Sequence, residues 1–436
     1  MTRLCLSASA RQARVRVLTS RQACAAMLAL GVIGGLGSAA SAQQPADPAV
    51  IADQTTPESA PGRPPRPPTT SSPTDDSIAA RARQWAETTH IVERLDGTVD
   101  GWYPRLGGMT RGSGLAAGPG YRRHLFEERI RVDVSAAVST KWYKAVDGHV
   151  RWFHLPQTRT ELWTDYRYED FSQQDFYGVG LASVQSARTK YAYSSHDLMA
   201  RALVRPVASV QVGAAVGYLW PSVGSSRARG FPSIEQLFTD STAPGLERQP
   251  DFRHASVYTD IDTRDERGHP QRGGFYRLSF GAWRDRSPGP YNFNRVDIGG
   301  TQYFALTETD RHVIAPHIGI SAVNNKSNSR VPFYFLPYVG GVDTIRSFRE
   351  FRFRDEKALA FGADYLWTPV AHVSLAGFID SGKVAHTWSD LTLSDLKWGY
   401  GIGARFHTSK QMLARIDLAT GGGEGVRLFV RAGQSF

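Results

Sequence analysis

Few residues in this chain are spaced for covalent chemistry. Ser195-His196-Asp197 unites the three residue types of a nucleophilic triad. In an extended segment, however, consecutive side chains point to opposite faces and cannot converge on one reacting atom. No G-x-S-x-G elbow occurs. Gly421-Gly422-Gly423 matches a phosphate loop in composition only, since neither Lys-Ser nor Lys-Thr follows it, and it reads as a hairpin. The twelve histidines are scattered rather than set at ligand spacing, so neither a metal nor another cofactor is expected. What remains is one pairing of charges. Arg346 lies in Ile345-Arg346-Ser347-Phe348, within a long connection from 325 to 355, and Asp380 lies one strand later in Phe378-Ile379-Asp380-Ser381-Gly382. A guanidinium fork grips a carboxylate bidentately. That chemistry braces or recognises, and the chain is not expected to be an enzyme.

The elements that must position this pair follow an export signal. Residues 1–42 carry Arg3, Arg11, Arg14, Arg16 and Arg21 with no acidic residue, then an apolar run around Leu28 and Ile33, then Ala40-Ser41-Ala42. This is the pattern of a secretory signal read by the Sec pathway, with cleavage expected after Ala42. Its loss would remove both cysteines, Cys5 and Cys24, and take the formal net charge from +10 to +5. Charge therefore gives little support to a nucleic-acid partner, and none is expected. Residues 43–75 are rich in Pro, Ala, Thr and Ser around Arg63-Pro64-Pro65-Arg66-Pro67-Pro68, a composition that reads as a disordered tail. Residues 76–112 read as a short helical or irregular linker, with Asp76 and Ser77 as caps and Ile78, Ala82, Trp85 and Val92 at helical spacing.

From 113 to 436 the period is two. Ile130, Val132, Val134, Ala136 and Val138 share one face, against Arg131, Asp133, Ser135 and Ser139 on the other. Trp398, Tyr400, Ile402 and Phe406 likewise alternate with Gly399, Gly401, Gly403, Arg405 and His407. Long strands with one apolar face, one polar or glycine face and aromatic ends suit lipid outside and water inside. About sixteen such runs can be counted, an even number as bacterial barrels require, the first at 113–122, the fifth-region runs at 159–169 and 174–185, and the last at 425–436. The expectation is an all-β transmembrane antiparallel barrel of sixteen strands in the outer membrane. Short connections such as Arg205-Pro206 and Ser409-Lys410 would face the periplasm, with 221–251, 286–292 and 325–355 outside. Arg131, Arg405, Arg415, Arg427 and Arg431 fall on the inner face, where they would either attract anions or pair across strands.

With those motifs in order, the region from about 113 to 436 resembles the barrel of the BamA/TamA superfamily, also called the bacterial surface antigen family. Members carry a V-R-G-F or V-R-G-Y motif on a long sixth outer loop folded into the lumen, and an F-x-D-x-G strand facing it. Ile345, Arg346, Ser347 and Phe348 match the first, with serine in the glycine's place, and Phe378, Asp380 and Gly382 match the second. Asp262-Thr263-Arg264-Asp265 with Pro270 and Gly273 resembles another recurrent turn of the family. The resemblance implies an Arg346 to Asp380 pin between loop and lumen, Phe436 as a terminal signal to the barrel-assembly machinery, and insertion or translocation as the activity. The alternative for the pin is a pair that merely holds the loop and narrows the lumen. No room is left between Ala42 and Ser113 for the POTRA domain that usually receives substrate, so a member lacking one is expected. Its partners would be outer-membrane lipids, the assembly machinery during biogenesis and a periplasmic protein bound by the tail. A passive pore or structural barrel is the second reading. A membrane-bound lipase is the third, and it lacks a residue constellation.

Overall fold

The computed structural model describes residues 99–107, 109, 113–152, 160–325, 329–407 and 412–432. The proposed signal segment, the Pro-rich tail, the helical part of the linker, Ser409-Lys410 and Phe436 lie outside the described residues. The strands are β1 (Gly101–Gly107), β2 (Ala116–Leu125), β3 (Ile130–Ser139), β4 (Lys144–Trp152), β5 (Thr160–Phe176) and β6 (Thr189–Val207). They continue as β7 (Val210–Ser225), β8 (Phe252–Asp262), β9 (Gly273–Asp285), β10 (Phe293–Ala305) and β11 (His312–Asn325). After two short strands, β12 (Tyr338–Val339) and β13 (Phe353–Arg354), come β14 (Lys357–Val370), β15 (Val373–Ala385), β16 (Lys397–His407), β17 (Met412–Thr420) and β18 (Arg427–Ala432). Sixteen of these form one sheet in chain order, each strand antiparallel to the next, with β11 pairing directly with β14. The small β12–β13 pair stands apart in the intervening loop.

The period-two pattern resolves into an outer and an inner face. On β16, Ile402 is 66 % exposed while Arg405, on the other face, is 3 % exposed. Val134, Leu278, Phe280 and Ile298 are outward and exposed, as lipid requires of a spanning barrel. Inward positions carry charges joined across strands: Arg151 to Glu161 at 2.6 Å, Arg201 to Asp165 at 2.6 Å, and Arg277 to Asp260 at 2.5 Å. The longest connections, 226–251 and 326–356, lie at one end, called here the loop end, and the shortest, 208–209 and 371–372, at the other, the turn end. Both β1 and β18 have their outer termini at the turn end.

The expected total of sixteen strands agrees with the structure through two compensating differences. The run at 159–169 and the first residues of the run at 174–185 are one strand, β5, whose ladder with β6 slips between Phe171 and Gln174, while 177–185 lie in the connection to β6 rather than in a strand. A bulge there breaks the alternation, because an extra residue shifts every later side chain to the opposite face. Conversely, the barrel begins earlier than Ser113, since β1 lies inside the segment read as a linker. Its sequence, GWYPRLG, has glycine at both ends and Pro104 inside, which masks the strand pattern. Proline is tolerated because β1 is an edge strand and needs fewer backbone donors.

Candidate functional site

The site is built where the loop between β11 and β14 turns inward. The β12–β13 pair gives this loop a rigid stem, and Val339, Ile345, Phe348 and Phe353 pack against Ala358, Ala360 and Val384 of the barrel wall. That apolar contact fixes the loop tip against β14 and β15. Arg346, 2 % exposed, is thereby delivered to Asp380, 1 % exposed. Its Nε donates to Asp380 Oδ2 at 2.7 Å and its Nη2 to Oδ1 at 2.5 Å, while the Arg346 backbone N–H adds a third bond at 3.0 Å. The guanidinium also lies 3.5 Å above the Phe378 ring. Burial alone would lower the pKa of Arg346, but its hydrogen bonds to Asp380 and Asp364 raise it above the usual arginine value.

Space for the loop tip comes from glycine. Asp380 lies between Gly362 on β14 and Gly399 on β16 in the strand register. A Cβ on Gly399 would sit 2.3 Å from the Ser347 hydroxyl and 2.7 Å from its Cβ. Ser347 is fully buried in this niche and donates to the Trp398 carbonyl at 3.0 Å. Its backbone is not in the left-handed region. Serine therefore fits where the family carries glycine, without the strain that a positive φ would impose. Gly382 pairs with Ala360 and Lys397 at the loop-end side of the same strand.

The sequence reading missed part of the network. Arg346 reaches a second carboxylate, Asp364, at 2.6 Å. Asp364 also meets Arg405 at 3.2 Å, and Arg405 in turn meets Asp417 at 2.6 Å. The pin is thus one end of a charge chain running across β14, β15, β16 and β17. Alternation places Asp364 and Asp417 on the inner face, so the signal was present, but only the register brings them to the arginines. The five inner-face arginines all have carboxylate partners: Arg131 with Asp133, Arg405 and Arg415 with Asp417, Arg427 with Glu424, and Arg431 with Asp343. Of these pairs only Arg405–Asp417 joins two strands; Arg131 and Arg415 pair along their own strands, Arg427 with the β17–β18 connection and Arg431 with the inward loop.

Next to the pin loop, residues of the long loops pack against inward residues of the wall. Phe176, Tyr191, Phe252, Trp283, Phe293 and Phe333 form a buried cluster with Ile234 and Leu336 from the long loops. Arg354 ties this cluster to the pin loop through the Phe333 carbonyl at 3.1 Å and the Tyr191 hydroxyl at 3.2 Å. The Ser195-His196-Asp197 triplet does not converge. Ser195 is buried on the inner face, Asp197 meets His254 at 2.9 Å, and the His196 ring bonds to the Tyr166 hydroxyl on the outer face at 2.8 Å.

A sixteen-stranded antiparallel barrel with an apolar outer belt and a loop locked inside it is an outer-membrane β-barrel protein. More narrowly, the chain belongs to the Omp85 superfamily, whose domain model matches residues 151–436. Among solved structures it is similar to BamA from Haemophilus ducreyi lacking POTRA domains 1–3, at 14 % identity and a TM-score of 0.61, covering 76 % of this chain and 70 % of that one. It is also similar to CdiB from Acinetobacter baumannii (12 % identity, TM-score 0.43, 77 % of this chain and 56 % of that one). For CdiB from Escherichia coli the figures are 11 % identity, TM-score 0.48, and 76 % and 61 % coverage. No curated protein matches the sequence. At such identities the likeness to BamA is one of fold.

Proposed function

We propose that the barrel acts as an insertase or translocase of the BamA/TamA type. The observation that carries this reading is the seam. β1 and β18 approach within 8 Å, yet no backbone ladder joins them among the described residues. β1 has only seven residues, against nineteen in β6, so the wall is lowest where the sheet ends meet. Unpaired edge groups are costly in lipid and available to an incoming strand. The pinned loop braces the wall next to this seam, keeping β14–β17 in register while β1 and β18 part. On this reading the loop end faces outward and both chain ends face the periplasm, after Sec export and cleavage behind Ala42. Substrate would arrive through a periplasmic protein bound by residues 43–75.

The passive-pore reading is disfavoured by the aromatic cluster and the paired inner charges. The test of the proposal is a lock on the seam. Cysteines at Trp102 or Pro104 are paired with cysteines at Leu428 or Val430, all four positions falling on outward-facing runs of β1 and β18, and the bridge is formed by oxidation. Proteoliposomes carrying the oxidised protein should insert an unfolded outer-membrane barrel at least ~10-fold more slowly, with recovery on reduction. Equal rates in both states would rule out lateral opening.

A further inference from the structure

The outward face at the loop end of β7–β9 carries charge that the barrel does not neutralise. Arg253 on β8 and Arg284 on β9 are cross-strand partners, both exposed. Their inward neighbours, Phe252 and Trp283, are buried, which fixes the two arginines on the outer face. Like charges directly opposite one another in an antiparallel pair are destabilising. Among the described residues no carboxylate forms an ion pair with either. Arg284 instead donates to the Trp283 and Phe293 carbonyls at 2.8 and 3.0 Å and to Asn294 at 2.9 Å. A third arginine, Arg286, stands 5.6 Å from the Tyr218 ring and 4.0 Å from Asp251, its only carboxylate contact among the described residues. Tyr218 is itself the register partner of Arg253 and stacks with Trp220. Beyond β9 the same rim continues with Asn294 opposite Asn324.

Directly toward the turn end, this face becomes apolar, with Val216, Leu278, Phe280 and Ile298 all exposed. The arginines therefore crown the hydrocarbon belt at the level where headgroups begin, beside aromatic residues of the interfacial kind. We propose that this surface binds the phosphorylated headgroup of a lipid in the leaflet at the loop end. A phosphate has the oxygens to engage two guanidinium forks bidentately, and it supplies the negative charge that the Arg253–Arg284 pair lacks. The amides of Asn294 and Asn324 and the Tyr218 hydroxyl are placed for sugar or glycerol oxygens. Acyl chains would lie along Val216, Leu278 and Phe280.

The experiment is native mass spectrometry of the purified full barrel with diphosphoryl lipid A, and with the same glycolipid stripped of phosphate. The wild-type protein should retain the phosphorylated lipid at least ~10-fold better than the stripped one, R253Q/R284Q should lose that preference, and R253K/R284K should keep part of it. R272Q, at the turn end, should behave as wild type. Heat-modifiable mobility in gels should be unchanged in R253Q/R284Q, since a repulsive pair is removed. Equal retention of both lipids by the wild type, or an unchanged preference in R253Q/R284Q, would overturn the proposal. Which leaflet the site faces rests on the orientation given under the proposed function. Labelling of Ser241→Cys on intact cells by an impermeant maleimide tests that orientation separately, whatever the lipid result.

Discussion

At the scale of single residues, the site's behaviour follows from how many partners each charge has. Arg346 holds two carboxylates, Asp380 and Asp364, whereas Asp364 also keeps Arg405. Arg346→Ala would leave Asp380 in the wall with the backbone N–H of residue 346 and His317 at 3.7 Å but no guanidinium, so a loss of ~3–5 kcal/mol is expected. Asp380→Ala leaves Arg346 paired to Asp364 and should cost less. The double variant should cost clearly less than the sum of the two, read from the heat-modifiability midpoint of each protein. Additive losses would show that the two residues do not act together. Replacement of the family glycine by Ser347 is accommodated here by a neighbouring glycine, Gly399, that gives up its own side-chain space.

Among the elements, turns and loop stems set the register that brings these charges together. The connection from β8 to β9 is one such device. Arg264 forks onto Asp262 with two bonds of 2.8 Å, and Thr263 is closed against Gly274 by one backbone bond of 2.8 Å and by its hydroxyl, which accepts from the Gly274 N–H at 3.0 Å. Gly273 has φ of +80°, and a Cβ there would sit 1.9 Å from the Thr263 carbonyl oxygen. Gly273→Ala should therefore destabilise the barrel by about 1–3 kcal/mol, while Gly319→Ala, with open space around it, should stay within about 0.5 kcal/mol. Thermal unfolding followed by circular dichroism distinguishes them, and equal midpoints would remove the turn from the list of register determinants. The motif resemblance had marked this turn. Its reason, a backbone collision that only glycine avoids, is visible only in three dimensions.

For the whole molecule, the relevant quantity is how much of the lumen is open. The pin loop, the aromatic cluster and the inner ion pairs all project into it near the loop end, with Arg352 reaching Ser183 in the β5–β6 connection and Glu424 in the β17–β18 connection. Planar-bilayer recordings of the purified barrel should show no steady porin-sized current. Replacing residues 341–350 by a short Gly-Ser bridge should produce one, because both the guanidinium pin and Phe348 leave with it. A large steady current in the intact protein would restore the pore reading.

The amino-acid sequence determined the barrel class, because a two-residue period over some three hundred residues leaves lipid outside and water inside as the stable arrangement. It also marked Arg346 and Asp380 through motif and face. It did not reveal β1, whose glycines and proline hide the strand, nor the join that makes β5 one strand across a bulge. The extension of the pin to Asp364, Arg405 and Asp417, the niche that Gly399 opens for Ser347, and the opposed Arg253 and Arg284 were decided by tertiary structure alone. Alternation fixes which face a side chain takes. Only the register between strands fixes which charges meet.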